Sequence, residues 1–195
     1  MLTYANRFEN MPVMSLQTGT ELARTSRAII NPRKLSIVAY ELSGHLLDQQ
    51  PSLLRIADIR EIGSLGMIID STDEIVGLDD IIDLKEVYEY NFELIDKLVI
   101  DDKKHKLGKV IGYTVDPDSF TIQQIQVKKP LFKSFSDVEL LIHRSQVVKV
   151  TDDVVIVKSA IVEQKQTKAV VPSGGMVFDN PFRKSPEPRT ESSSR

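Results

Sequence analysis

The sequence contains no cysteine, which excludes disulfides and thiolate metal sites and fits a reducing compartment. Its three histidines, His45, His105 and His143, lie far apart and belong to no spaced ligand motif. No apolar run approaches the roughly eighteen residues that a membrane span needs. Met1 to Glu9 lack the basic and apolar regions of a signal peptide, so a cytoplasmic location is expected. There is no Gly-x-Ser-x-Gly, no Walker loop and no dinucleotide fingerprint. The paired carboxylates Asp101-Asp102 and Asp152-Asp153 each fall in a tight turn, where aspartate is favoured for backbone bonding. Nothing in this set generates a nucleophile. The expectation is a non-enzyme with no catalytic, cofactor-binding or metal-ligating residue.

What the sequence does have is repetition. Its 195 residues, 41% hydrophobic and 27% charged, suit one medium domain or two small ones. The organising stretch is Leu107 to Val127, two strand-like runs joined at Asp116-Pro117-Asp118-Ser119. Pro117 presets φ for the turn, while Asp116 and Ser119 can bond its backbone. Beyond the turn, apolar residues fall at Phe120 and Ile122, then at Ile125 and Val127. That slip at Gln123-Gln124 is what a β-bulge does to strand alternation.

The same pattern stands earlier in the chain. Ile30-Asn31-Pro32-Arg33-Lys34-Leu35-Ser36-Ile37 matches Val115 to Ile122 at a shift of about eighty-five residues, and Tyr40 and Leu42 repeat the slip. Asp58 to Ile62 then matches Gln146 to Val150, the shift having grown by about three residues, as a loop difference would cause. The ordered series implies two copies of one small β module.

The second copy resembles the PRC-barrel family through Asp96-Lys97-Leu98-Val99, a polar turn, Lys106-Leu107-Gly108-Lys109-Val110, and the following Val115-Asp116. Lys103-Lys104-His105 stands where the family's turn glycine usually sits, and the first copy has no Leu-Gly-Lys-Val equivalent. The resemblance covers residues 12 to 160. It implies a mainly all-β chain of two small barrels, and a protein-binding adaptor without catalytic residues. The family includes a ribosome-maturation factor, the H subunit of photosynthetic reaction centres, and proteins linked to sporulation or division. The chain lacks the partner domain of the first and the membrane helix of the second, so neither specific role transfers.

The expected organisation follows the repeat. Residues 1 to 11 read as a polar leader, residues 12–76 as the first, divergent module, and residues 92–160 as the second. Between them, residues 77–91 place apolar side chains at Leu78, Ile81, Ile82, Leu84, Val87 and Tyr88, the spacing of a helix. Such a helix is expected to pack between the barrels, its acids forming a solvated face. Residues 161–195, rich in Pro, Ser and charge beyond Pro181, are expected to be mostly disordered.

Binding surfaces are the remaining candidates. Lys128, Lys129, Lys133 and Arg144 gather cations around one loop, with Phe132 and Phe135 interleaved. Basic and aromatic residues together can grip RNA by phosphate contact and stacking. In the tail, Phe178 and Phe182 flank a motif that could dock on a partner. The first expectation is a protein-binding adaptor. Its alternatives are a ribosome- or rRNA-associated maturation factor using the Lys128 to Lys133 loop, and a scaffold in envelope or division machinery recruited through Phe178 to Phe182.

Overall fold

Bulges recur at matched positions in two sheets, and they show the duplication directly. The computed structural model describes residues 1–129 and 139–159, so the expected tail and the loop residues 130–138 lie outside it. Among the described residues the chain runs β1 (Thr3–Tyr4), β2 (Pro12–Ser15), β3 (Glu21–Asn31), β4 (Ser36–Ser43), β5 (Ser52–Arg55), β6 (Glu61–Gly63), β7 (Gly66–Ile69) and β8 (Ile75–Gly77). A helix α1 (Ile82–Tyr90) follows. The second half runs β9 (Leu98–Asp101), β10 (Lys106–Val115), β11 (Ile122–Lys128), β12 (Glu139–His143), β13 (Val147–Val150) and β14 (Val154–Val157).

The two halves share one topology. The first sheet is ordered β6-β7-β2-β3-β4-β5-β8 and the second β12-β11-β10-β9-β14-β13, with β1 added along β10. In each, a long central hairpin (β3–β4 or β10–β11) is antiparallel, and the module's first strand pairs in parallel with a later one (β2–β7 or β9–β14). Three bulges coincide at the offset read from the sequence. The residues left unopposed are Leu22 and Leu107, Ser26 and Ile111, and Val38 and Gln123. The third of these pairs is the slip that the apolar pattern predicts.

The central turns are built alike. Asn31 Oδ1 accepts the N–H groups of Arg33 and Lys34 at 3.0 and 3.2 Å. Asp116 Oδ1 accepts the Asp118 N–H at 3.2 Å, and its Oδ2 accepts the Ser119 hydroxyl at 2.9 Å. Each turn ends on a buried residue in the left-handed region, Leu35 at φ 48 and Phe120 at φ 51. Two apolar residues held there by an L-residue backbone are unusual, and both are fixed by contacts across the molecule.

Those contacts join the halves. The Ile37 N–H donates to the Phe120 carbonyl at 3.0 Å, and the Ile122 N–H donates to the Leu35 carbonyl at 2.9 Å. The exchange is reciprocal, as between copies related by an approximate two-fold axis. Around it the buried residues of both halves form one continuous core.

Three expectations are corrected here. Neither sheet closes into a barrel among the described residues; each has two end strands that do not pair with one another. The inner faces are buried against a shared core instead, so closure is not needed to hide them. The linker helix does not pack between the halves. It lies on the first sheet's other face, where Leu84 meets Ile29, Ala39 and Leu53, with Val87 and Tyr88 beside them. Ile82, counted on the apolar face from its spacing, is 80% exposed because Leu78 to Asp80 form a separate 3-10 turn and α1 begins only at Ile82. Finally, the N-terminal segment is not merely a polar leader. Phe8, at the end of a 3-10 turn, is 1% exposed and packs its ring 5.2 Å from Phe120 and 6.5 Å from Tyr40.

Candidate functional site

The sequence-predicted basic cluster begins at the end of β11. Lys128 sits opposite Lys109 on one side and Glu139 on the other. All three are exposed, while their neighbours Val110, Val127 and Leu140 point into the core. Alternation along the strands therefore puts Lys109, Lys128 and Glu139 in one row on the outer face. Lys129 follows, also exposed. Phe132, Lys133 and Phe135 lie outside the described residues, as do Phe178 and Phe182.

Arg144 stands apart from that row. It begins a 3-10 turn after β12, and its guanidinium donates to the Lys34 carbonyl of the first copy at 3.3 Å. Its observed contact is thus across the two halves.

Next to the basic row runs an open strand edge. In the first sheet β8 pairs along β5 through Ser52, Leu53 and Leu54. β12 is the counterpart of β5, and among the described residues no strand pairs along its outer side. Glu139, Leu141 and His143 alternate outward along it, and Leu141 is 59% exposed. Its counterpart Leu53, beneath α1, is wholly buried. The His143 imidazole accepts the Ser145 N–H at 3.2 Å, and the His143 N–H donates to Gln146 Oε1 at 3.0 Å, so this histidine caps a turn.

The acidic turns behave as backbone-bonding devices. Asp101 is 2% exposed; its Oδ1 accepts the His105 N–H at 2.7 Å and its Oδ2 meets the His105 imidazole at 2.8 Å. Loss of water raises the Asp101 pKa, but the His105 amide and imidazole, with help from the Lys103 amide, hold it below the ordinary carboxylate value. Asp152 receives the Tyr90 hydroxyl and, at its carbonyl, the Lys97 ammonium, which ties the end of α1 to the second copy. Among the described residues no three His, Cys, Asp or Glu side chains are grouped to hold a metal ion. No helix there is long and apolar enough to cross a membrane.

The feature that sequence reasoning missed is a cleft between the halves. Glu9, Arg27, Tyr40, Phe92, Glu93 and Tyr113 contribute to its walls, and its volume is about 200 Å³. Tyr40 is 2% exposed, and its buried hydroxyl has no hydrogen-bond partner among the described residues. Burial pushes the Tyr113 phenol up to about 12, with Glu9 adding to the effect. Tyr40 is pushed up further, first by burial and then by Tyr113 and Glu9. The two phenols come from different copies, so neither copy's own motif could announce the site.

The chain matches no family model, and a search of curated proteins gives no match.

Proposed function

We propose that this chain is a non-catalytic protein-binding adaptor built from two PRC-type modules, and that the outer edge of β12 is where it takes its partner. The observation that supports this reading is the contrast between β5, which pairs with β8, and β12, along whose outer side no strand pairs among the described residues. A strand edge of that kind is one that an extended peptide can lengthen by adding a strand. Leu141 offers that peptide an apolar contact, and Lys128 and Lys129 at the neighbouring strand end favour an acidic flank.

The test is affinity capture of the full chain from its own cell lysate, with and without ribonuclease, beside a Leu141→Asp variant. An exposed position tolerates that change, and far-UV circular dichroism checks it. The expected result is a small set of ribonuclease-resistant proteins that Leu141→Asp loses. Capture that is indifferent to the substitution would overturn the assignment to β12.

One observation favours a second reading. Lys109, Lys128 and Lys129 present three cations at neighbouring exposed positions, against the single carboxylate of Glu139. A row of that kind is suited to an anionic partner such as ribosomal RNA. Recovery of ribosomal proteins that vanishes with ribonuclease, and with Lys128→Glu plus Lys129→Glu, would establish it in place of the first.

A further inference from the structure

We infer that the edge of β12 is the docking site of this chain's own segment Ile161-Val162, which pairs there as β8 pairs along β5. The duplication carries the inference, because the two copies agree strand by strand up to the point where the described residues end. Leu53 stands opposite Glu41 and Leu141 opposite Gln126, the same place on matched strands. The Leu16 N–H donates to the Ile69 carbonyl at 2.8 Å, and the Asp102 N–H donates to the Val157 carbonyl at 2.9 Å, so the chain leaves β7 and β14 alike. In the first copy it then runs through Ser71-Thr72-Asp73-Glu74 into Ile75-Val76 of β8. In the second the sequence runs through Ser159-Ala160 into Ile161-Val162.

The shorter connection still reaches. Thr72–Glu74 form a 3-10 turn capped by Ser71, and such a turn advances about 2 Å per residue. Extended chain advances about 3.3 Å per residue, so Ser159 to Ile161 can cover most of the span from Ser71 to Ile75. The side chains fit as well. Leu53 stands opposite Val76 and Leu54 opposite Ile75. Ile75 packs on the shared core, and Val76 packs on the other face with Leu53. The same register sets Ile161 opposite the buried Ile142 and Val162 opposite Leu141, covering a side chain that is 59% exposed. From Glu163 to Lys168 the sequence is polar, so the added strand is short, as the three-residue β8 is. A short strand of this kind is one that a partner's longer strand can displace. That regulatory consequence rests on the reading of β12 as the partner's edge; the pairing itself does not.

The absence of cysteine makes the test direct. Opposed residues on antiparallel strands lie within the Cα separation that a disulfide spans. The full chain carrying Leu141→Cys and Val162→Cys is oxidised under mild conditions beside a control carrying Leu141→Cys and Thr167→Cys, and far-UV circular dichroism checks that both fold. The expected result is an intramolecular disulfide that forms at least about tenfold faster in the first protein, reflecting the effective concentration of a docked segment. Equal rates in the two proteins would overturn the proposal, and so would cross-linked dimers in place of monomers, which would give the edge to a second copy. The oxidised protein should also lose the ribonuclease-resistant partners from a non-reducing lysate and regain them on reduction. Capture that is the same in both states, with the disulfide formed, would uphold the pairing and overturn the placement of the partner on β12.

Discussion

Leu35 and Phe120 hold each other's strands. The carbonyl of each accepts the N–H two residues beyond the other, at 2.9 and 3.0 Å, and each sits at positive φ behind a proline-containing turn. Ser36 and Thr121 form the bridge between them. This exchange turns two short modules into one folded unit, because the end of each hairpin is completed by the other copy.

The first prediction is therefore cooperative unfolding. Phe120 is 2% exposed and packs against Phe8 and Tyr40, one from the N-terminal segment and one from the first copy. Phe120→Ala is expected to cost about 3–5 kcal/mol, the usual range for emptying a buried aromatic site. Alanine meets the same left-handed backbone cost as phenylalanine, so the loss reports packing. Urea unfolding followed by far-UV circular dichroism and by tyrosine fluorescence should give coincident transitions, both shifted by the substitution. Two separated transitions, with one shifted, would show that the copies fold independently.

A second prediction concerns Gly108, which stands at φ 150. A Cβ there would lie 2.1 Å from the Lys128 carbonyl oxygen, a backbone atom that cannot swing aside. Gly108→Ala is expected to destabilise the protein by more than the roughly 1–3 kcal/mol of backbone strain alone. The distortion should reach the β10–β11 pairing, so amide hydrogen exchange along β11 is the measurement that checks it.

How much of this could be read beforehand follows from what each signal depends on. The repeat, the Asn-Pro and Asp-Pro turns and the bulge at Gln123 are local, so spacing along the chain revealed them. The bulges at Leu107 and Ile111 were hidden because their strands do not change apolar phase in an obvious way. In the first copy, Leu22-Ala23-Arg24-Thr25 takes the structural place of Leu107-Gly108-Lys109-Val110 without sharing its glycine. Phe8 and the cleft of Tyr40 and Tyr113 depend on how the copies dock, which no single window contains. Likewise, helical spacing located α1 but not the surface it covers.

The third prediction separates the two faces of that helix. Leu84 is 6% exposed and joins the Ile29, Ala39 and Leu53 cluster, whereas Ile82 is 80% exposed. Leu84→Ala should cost about 2–5 kcal/mol, and Ile82→Ala should stay within about 0.5 kcal/mol of the parent. Thermal unfolding of the two variants checks this. Equal effects would place the helix elsewhere.

Acid stability offers the fourth test, through Asp101. Its pKa in the folded protein lies below the ordinary carboxylate value. A depressed folded pKa means that the folded state favours the ionised form more than the unfolded chain does. The resulting stabilisation is present above the unfolded value and is lost as pH falls through the folded one. Urea midpoints measured between about pH 5 and pH 2 should therefore fall, and the fall should be shallower in Asp101→Asn. Asparagine keeps an acceptor for the His105 N–H but carries no ionisable proton, so the variant separates charge from hydrogen bonding. An acid limb equally steep in both proteins would mean that other carboxylates carry the dependence, and that the Asp101–His105 turn contributes only shape.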